Sequence, residues 1–554
     1  MERIDRIFYR KINPSDFKKM YDIDKPATGG GQTYLEAAGI TEDKMVDFLS
    51  IAERVDSPSD QRYTYTIKAY TLGNAGLPAE DMEFAPRNKR ANYKISRQTM
   101  ANKHSAWKPA NGFPVPNTDP VTGAYTSVGN FVGIIDNLVI LIIRTNYCHY
   151  YASFIDSATM PAGWPVGIGL EEIFTGDRRG IVNFTRYNVQ FINNAAMPFG
   201  TVTKIPLEYH TGMAVTGDLE RNRIIFGAPG TGKSYRINRD KDTLLVDKDD
   251  YERVTFHPDY TYSQFVGTYK PVSLADGSIS YKFVPGPFMR VYARALKNIL
   301  SATDANGNVD TTKIKPYILI VEEINRAKAS AVFGDLFQLL DRNDKHVSDY
   351  SIQASEELKA YLCNEIGGQS EDYKDILLPD NLFIWATMNS ADQGVFPMDT
   401  AFKRRWNFEY IGIDEEEIDP VTGATNVPGK FKLPTVGKEL EWNKLRKAIN
   451  QLLSSDDVKV NEDKLLGPFF INSRKYLKPG TTTDELDDKF YQLVENKVLM
   501  YLYEDAAKTK KSKVFADNVD SNRFSALKKA FEARDLGIFK EIDGKSFEDI
   551  YDSY

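Results

Sequence analysis

Gly227-Ala228-Pro229-Gly230-Thr231-Gly232-Lys233-Ser234 follows the short apolar run Ile224-Ile225-Phe226 and leads into a more polar, helix-compatible stretch. Glycine, four residues, then glycine, lysine and serine, placed between a strand and a helix, is an arrangement that cradles phosphate. The glycines let the backbone curl until successive N–H groups converge on one anion. The start of the following helix adds the positive end of its dipole. All eight residues are candidate nucleotide contacts, with Lys233 reaching the terminal phosphates and the Ser234 hydroxyl serving as a ligand of Mg²⁺. The loop predicts a bound nucleoside triphosphate and leaves open what its hydrolysis drives.

Downstream, Tyr317-Ile318-Leu319-Ile320-Val321-Glu322-Glu323-Ile324-Asn325-Arg326 supplies a second half to this engine. An apolar run without alternation implies a strand covered on both faces, as in a parallel α/β sheet. Two carboxylates at its carboxyl end fall where such sheets bind ligands. Glu322 is the candidate holder of the Mg²⁺ water shell and Glu323 the candidate catalytic group that polarises the attacking water. The first acid of this pattern is usually Asp, so Glu322 is a departure. Leu382-Phe383-Ile384-Trp385-Ala386-Thr387 is a further buried strand, and Asn389 beyond it is a candidate water- or γ-phosphate-contacting amide. Arg404-Arg405, ahead of the strand-like Asn407 to Ile411, is placed to project into a neighbouring subunit's site and neutralise a transition state. A surface salt bridge is the plainer reading of that pair. Between these motifs, Asp276-Gly277 flanked by alternating residues predicts a hairpin near 269–284, and Phe288 to Leu300 has helical spacing.

The chain of 554 residues is long enough for about three domains. Its net charge of −7 argues against coating nucleic acid along its whole surface, although a local basic face is not excluded. Two cysteines, Cys148 and Cys363, make neither a disulfide framework nor a zinc module, so a reducing, cytoplasmic compartment is expected. The most apolar stretch, Phe131 to Ile143, is too short to span a bilayer and is broken by Asp136 and Asn137, so no membrane association is predicted.

Residues 1–205 carry Pro/Gly-rich punctuation and short β-like segments such as Tyr63 to Ile67 and Val139 to Ile143, which predicts an α+β or mostly β domain. From Ala85 to Thr118 there is no acidic residue, while Arg87, Lys89, Arg90, Lys94 and Arg97 are basic, with Tyr93 and Trp107 interleaved. Basic side chains neutralise phosphates and aromatic rings stack on bases, so these seven are candidate nucleic-acid contacts. A solvated basic loop with its tryptophan in the core is the alternative. Residues 206–222 read as a linker, 223–412 as an α/β nucleotide-binding domain, and 413–554 as mainly helical. Within the last region, Leu440 to Leu453 and Lys489 to Tyr503 have amphipathic spacing, and Lys508 to Lys513 reads as a solvated loop.

Taken together, these motifs resemble the AAA+ fold and, more narrowly, the McrB family, the GTP-driven motor of modified-cytosine restriction systems. The narrower resemblance lies in Phe256 to Phe265, Glu322 to Arg326 with Phe333-Gly334-Asp335-Leu336, and Met388-Asn389-Ser390-Ala391-Asp392. Ser390 and Gln393 depart from the family signature, and Gln393 removes a positive charge, which leaves both GTP and ATP open. Leu465 to Phe470 is similar to a segment of the family's small helical lid domain. The resemblance implies a multidomain nucleoside triphosphatase assembling as a ring, a hexamer by family habit. It further implies DNA, modified in some systems, as the substrate of the amino-terminal domain, and a McrC-like nuclease subunit as partner. No nuclease motif is found in this chain. The alternative is the same engine remodelling protein complexes, with the amino-terminal domain as a polypeptide adaptor.

Overall fold

The apolar runs without alternation become the three central strands of a parallel sheet. The computed structural model describes all residues except 1, 13–15, 17–34, 38–39, 41, 51, 57–61, 87–92, 96–116, 123–124, 128–136, 176–177, 216, 218, 245, 274–278, 305, 391–393, 420–421, 428, 433–438 and 473–482. The strands are β1 (Asn222–Gly227), β2 (Tyr251–Thr255), β3 (Tyr317–Glu322), β4 (Leu382–Asn389) and β5 (Asn407–Tyr410). They lie in the order β5-β1-β4-β3-β2, every pairing parallel. Two helices flank the sheet, α1 (Lys233–Thr243) and α2 (Pro287–Ala302).

Alternation along the strands sorts their side chains into two cores. Ile224, Leu319, Val321, Ile384 and Ala386 pack with Val291, Ala295 and Ile299 of α2. Ile225, Ile318, Ile320, Phe383 and Trp385 pack with Ile237 of α1 on the opposite face. Full burial of such side chains contributes about 1.5–3 kcal/mol each, which is why the central strands tolerate no polar residue until their ends. Register sets Gly227 beside Asn389 and Thr255 beside Glu322, so the loop, the acids and the amide all emerge at one carboxyl edge.

The hairpin is present as Gly267–Ser273 paired antiparallel with Ile279–Pro285, and Lys270 lies directly opposite Lys282. The Asp276-Gly277 turn lies outside the described residues. The segment expected to be a linker is tied to the parallel-sheet part at Thr211 and Arg221. Asp380, 2% exposed, accepts from the Thr211 hydroxyl and backbone N–H, both at 2.7 Å, and its carbonyl accepts from Arg221 Nε at 2.6 Å.

Among the described residues, the amino-terminal domain is built on a mixed sheet of eleven strands. At its centre Arg3–Lys11 pairs antiparallel with Leu138–Thr145, which pairs with Tyr150–Asp156, which in turn runs parallel to Tyr63–Thr71. Every residue of Leu138–Thr145 is buried. Leu138, Ile140 and Ile142 face Phe8, Phe48 and Phe84 on one side. Val139, Leu141 and Ile143 face Trp164, Phe184 and Val189 on the other. Arg144, next to last in this strand, donates to Asp5 and to the carbonyls of Asp47 at 2.5 Å and Phe48 at 2.9 Å. Those carbonyls close the helix Glu42–Leu49, where a cation complements the helix dipole.

Beyond β5 the described residues form mainly helices around one further core. These are α3 (Trp442–Ser454), α4 (Thr483–Leu493), α5 (Phe524–Arg534) and α6 (Phe547–Asp552). Leu440 belongs to a short strand opposite Phe431 rather than to α3, an apolar position that either element accommodates. The helical run after α4 widens to π turns over Val494–Leu499 and Leu502–Ala506. The structure departs in part from the solvated loop expected at Lys508 to Lys513, of which Lys508, Thr509, Ser512 and Lys513 are exposed. Lys511–Val514 is a short helix, Lys510 Nζ donates to the carbonyls of Val458 and Lys459, and Lys513 Nζ donates to that of Asp457. Carbonyls left over just past α3 hold these ammonium groups. Among the described residues no helix is long and apolar enough to cross a membrane.

Candidate nucleotide and metal site

The phosphate-type loop joins β1 to α1 and depends on its glycines. Gly227, Gly230 and Gly232 have φ of 156°, 78° and 99°, which side chains disfavour. Neighbours add a second constraint. A Cβ on Gly230 would stand 2.4 Å from the backbone N of Phe470, and one on Gly227 would stand 2.6 Å from the Ile411 carbonyl oxygen. The approaching segment is Gly467-Pro468-Phe469-Phe470. Gly467 N–H donates to Pro229 O at 2.9 Å and Phe469 N–H to Gly230 O at 2.7 Å. Lys233 is buried, its Nζ donating to the carbonyls of Gly227 at 3.1 Å and Ala228 at 2.9 Å, so the ammonium sits inside the curl of the loop.

Salt bridges fix the loop's helix to β5 and to the chain after it. Arg236 of α1 meets Glu416 Oε1 and Glu415 Oε1, both at 2.5 Å, and Glu409 Oε1 at 2.8 Å. Burial works against its charge, but hydrogen bonds and fields from these carboxylates outweigh that and raise the guanidinium above its ordinary pKa. Arg446 of α3, fully buried, reaches Asp414 at 2.6 Å, Glu417 at 3.0 Å and the Leu466 carbonyl at 3.3 Å. It thereby sets the position of Gly467 to Phe470 over the loop.

At the tip of β3 the two acids are held differently. Glu322 Oε2 accepts from the Ser234 hydroxyl at 2.9 Å and from the Thr387 hydroxyl at 2.5 Å, while Arg253 donates to Oε1. Glu323 adopts a left-handed backbone, φ 56°, rare for a side chain and typical of residues that a site holds in place. Its N–H donates to Thr387 Oγ1 at 3.1 Å, and its Oε1 accepts from Asn389 Nδ2 at 2.6 Å. Asn325 Nδ2 secures the tip of β4 by donating to Asn389 O at 2.7 Å. Ser234, Glu322, Glu323 and Asn389 therefore come together with the loop at one edge. Positive-φ glycines, a buried lysine and a hydroxyl set against a carboxylate fit a triphosphate carrying Mg²⁺.

The arginine pair divides. Arg405 Nε and Nη2 hold Asp341 at 2.9 and 2.7 Å, its Cζ lies over the Phe337 ring 3.9 Å from the ring centre, and only 9% of its side chain is exposed. Arg404 is 65% exposed, with Asp341 at 3.7 Å. Of the pair, Arg404 is the one whose side chain is open to solvent. Thr387 and Arg253 were missed by the sequence reading. A hydroxyl ending the apolar run Leu382 to Ala386 and a charged residue in an edge strand were the available signals.

Of the candidate nucleic-acid contacts, Arg87, Lys89, Arg90, Arg97 and Trp107 lie outside the described residues. Lys94 is half-buried in the strand Tyr93–Ile95. Tyr93 is corrected: it is 1% exposed, its ring 6.0 Å from that of Tyr65 in the amino-terminal core, leaving no face for a base.

The AAA domain (dynein-related subfamily) family matches residues 222–406. The chain is 38% identical over 358 residues to the type II restriction enzyme BsuMI component YdiS of Bacillus subtilis strain 168, covering 60% of this chain and 92% of that protein. It is 28% identical over 193 residues to the type IV methyl-directed restriction enzyme EcoKMcrB subunit of Escherichia coli strain K12, covering 34% of this chain and 35% of that one. With the strand order, the loop, the paired acids and the amide all in place, the chain belongs to the McrB-like AAA+ family.

Proposed function

We propose that this chain is the nucleotide-driven motor of a restriction system, which binds and translocates DNA and hydrolyses GTP in preference to ATP. The observation that carries the hydrolytic part is the pairing at the carboxyl edge, Ser234 on Glu322 and Asn389 on Glu323. In this reading the N–H groups of Gly227 to Ser234 and the Lys233 ammonium bind the phosphates. Ser234 and Glu322 would hold the water shell of a Mg²⁺ ion, which would supply charge neutralisation to the phosphates. Glu323, oriented by Asn389, takes the proton from the attacking water. Arg404 completes the site of an adjacent subunit in a ring, proposed to be a hexamer.

The amino-terminal domain is the proposed DNA reader, and cleavage is assigned to a separate McrC-like nuclease subunit. The helical region after β5 is the proposed lid, since Gly467 to Phe470 lies directly on the loop. Support for the restriction role comes from the two restriction-enzyme relatives. The test is binding of the full chain to duplex DNA across a salt series, together with turnover of GTP and ATP. Affinity falling steeply with salt and a GTP preference are expected. Salt-insensitive or absent DNA binding would instead favour remodelling of protein complexes.

A further inference from the structure

The Glu322 carboxylate is held on one oxygen by Ser234 of α1 and on the other by Arg253 of β2, which is itself tied back to α1 through Asn238. Ser234 and Asn238 are one turn apart on α1, hence on the same side of that helix. Ser234 donates its hydroxyl to Glu322 Oε2 at 2.9 Å. Arg253, from the edge strand β2, donates one nitrogen to Glu322 Oε1 and another to Asn238 Oδ1. Four side chains thus close a ring, Ser234 to Glu322 to Arg253 to Asn238 and back along one turn of α1. Thr387 adds a third hold on the carboxylate, donating to Oε2 at 2.5 Å.

The need for such a ring follows from the length of the acid. Glutamate has one more rotatable bond than aspartate, so a carboxylate that must stand beside the Ser234 hydroxyl in one orientation requires an additional restraint. The guanidinium suits that task because it is planar, always charged and bonds in fixed directions. Arg253 is 29% exposed on its side chain, and Glu322 14%. The pair therefore lies at the mouth of the site, where its geometry matters more than its Coulomb energy.

We propose that Arg253 is a positioning residue for the metal-side carboxylate, holding Glu322 in register with Ser234 through Asn238. It touches neither nucleotide nor metal. Its effect is on how tightly the metal–nucleotide pair is held, and it depends on residue 322 being glutamate. An aspartate at 322 would withdraw the carboxylate from Arg253 and make the arginine dispensable.

The inference rests on the reading of Glu322 as a metal-side group, and the experiment separates the two. Mn²⁺ binding is followed by electron paramagnetic resonance in the full chain with a non-hydrolysable GTP analogue, alongside metal-free binding of the analogue and the thermal midpoint. Glu322→Ala should abolish tight Mn²⁺ binding; retention would overturn the reading of Glu322 itself. Arg253→Ala should weaken Mn²⁺ binding about tenfold, the lower end of what outer partners of metal ligands carry, with metal-free analogue affinity unchanged. Asn238→Ala should weaken it in the same direction by less. In a Glu322→Asp background, Arg253→Ala should have no further effect. If Arg253→Ala lowers the thermal midpoint, Arg253→Lys and Asn238→Ala carry the test. Unchanged Mn²⁺ affinity in these variants, or an undiminished arginine effect in the Glu322→Asp background, would overturn the role of Arg253.

Discussion

Thr387 is the smallest group on which both acids depend. Its hydroxyl donates to Glu322 at 2.5 Å and accepts from the Glu323 N–H at 3.1 Å. Thr387→Val keeps the shape and removes both bonds, leaving the Glu323 N–H without its partner. Turnover should fall by roughly 10–100-fold with the fold intact, measured as steady-state phosphate release beside a melting curve. The arginine pair offers a contrast at the same scale. Arg405→Ala removes the hold on Asp341 and the stack on Phe337, and should cost about 1–3 kcal/mol of stability in denaturant titration. Arg404→Ala should leave stability within about 0.5 kcal/mol and reduce turnover about a thousandfold. The pair was legible in the sequence, but its division of labour was not, because Asp341 and Phe337 reach Arg405 from a distant segment. Thr387 and Arg253 escaped notice for a related reason: each acts through a partner far along the chain, and no local spacing announces it.

At the scale of elements, the loop is shared between two regions of the chain. Gly467 approaches so closely that a Cβ there would lie 2.3 Å from the Gly230 carbonyl carbon. Gly467→Ala should therefore push the 467–470 segment off the loop and weaken nucleotide binding, while the parallel sheet keeps its circular dichroism. A fluorescent nucleotide titration checks the first and a spectrum the second. The strands β1, β3 and β4 were legible as unalternating apolar runs, and α2 as a periodic one. The loop and the paired acids were legible because their chemistry is local: glycines that must curl, and two carboxylates at a strand end. Leu465 to Phe470 was noticed only by resemblance. Its contact with Pro229 and Gly230 is made through backbone groups, which any sequence supplies equally.

For the whole molecule, the amino-terminal domain was readable as β-rich but not in its topology. Arg3–Lys11 finds its partners in Leu138–Thr145 and Arg179–Asn183, pairings across more than a hundred residues that composition does not reveal. That domain is tied to the nucleotide-binding part through Lys204 and Arg186, both directed at Asp372, and through Gln369 donating to Gly167 O at 2.7 Å. Such ties give a path by which nucleotide state could be felt by the proposed DNA reader. Everything downstream of that path requires a working hydrolytic centre at the edge of the parallel sheet. The most direct measurement is GTP turnover and GTP affinity of the full chain carrying Glu323→Gln, which keeps the size of the side chain and removes its ability to take a proton. Turnover lower by about 10²–10⁴-fold with affinity unchanged is the predicted result. Turnover equal to that of the unaltered chain would contradict the assignment of Glu323 and with it the account of this site as a hydrolytic motor.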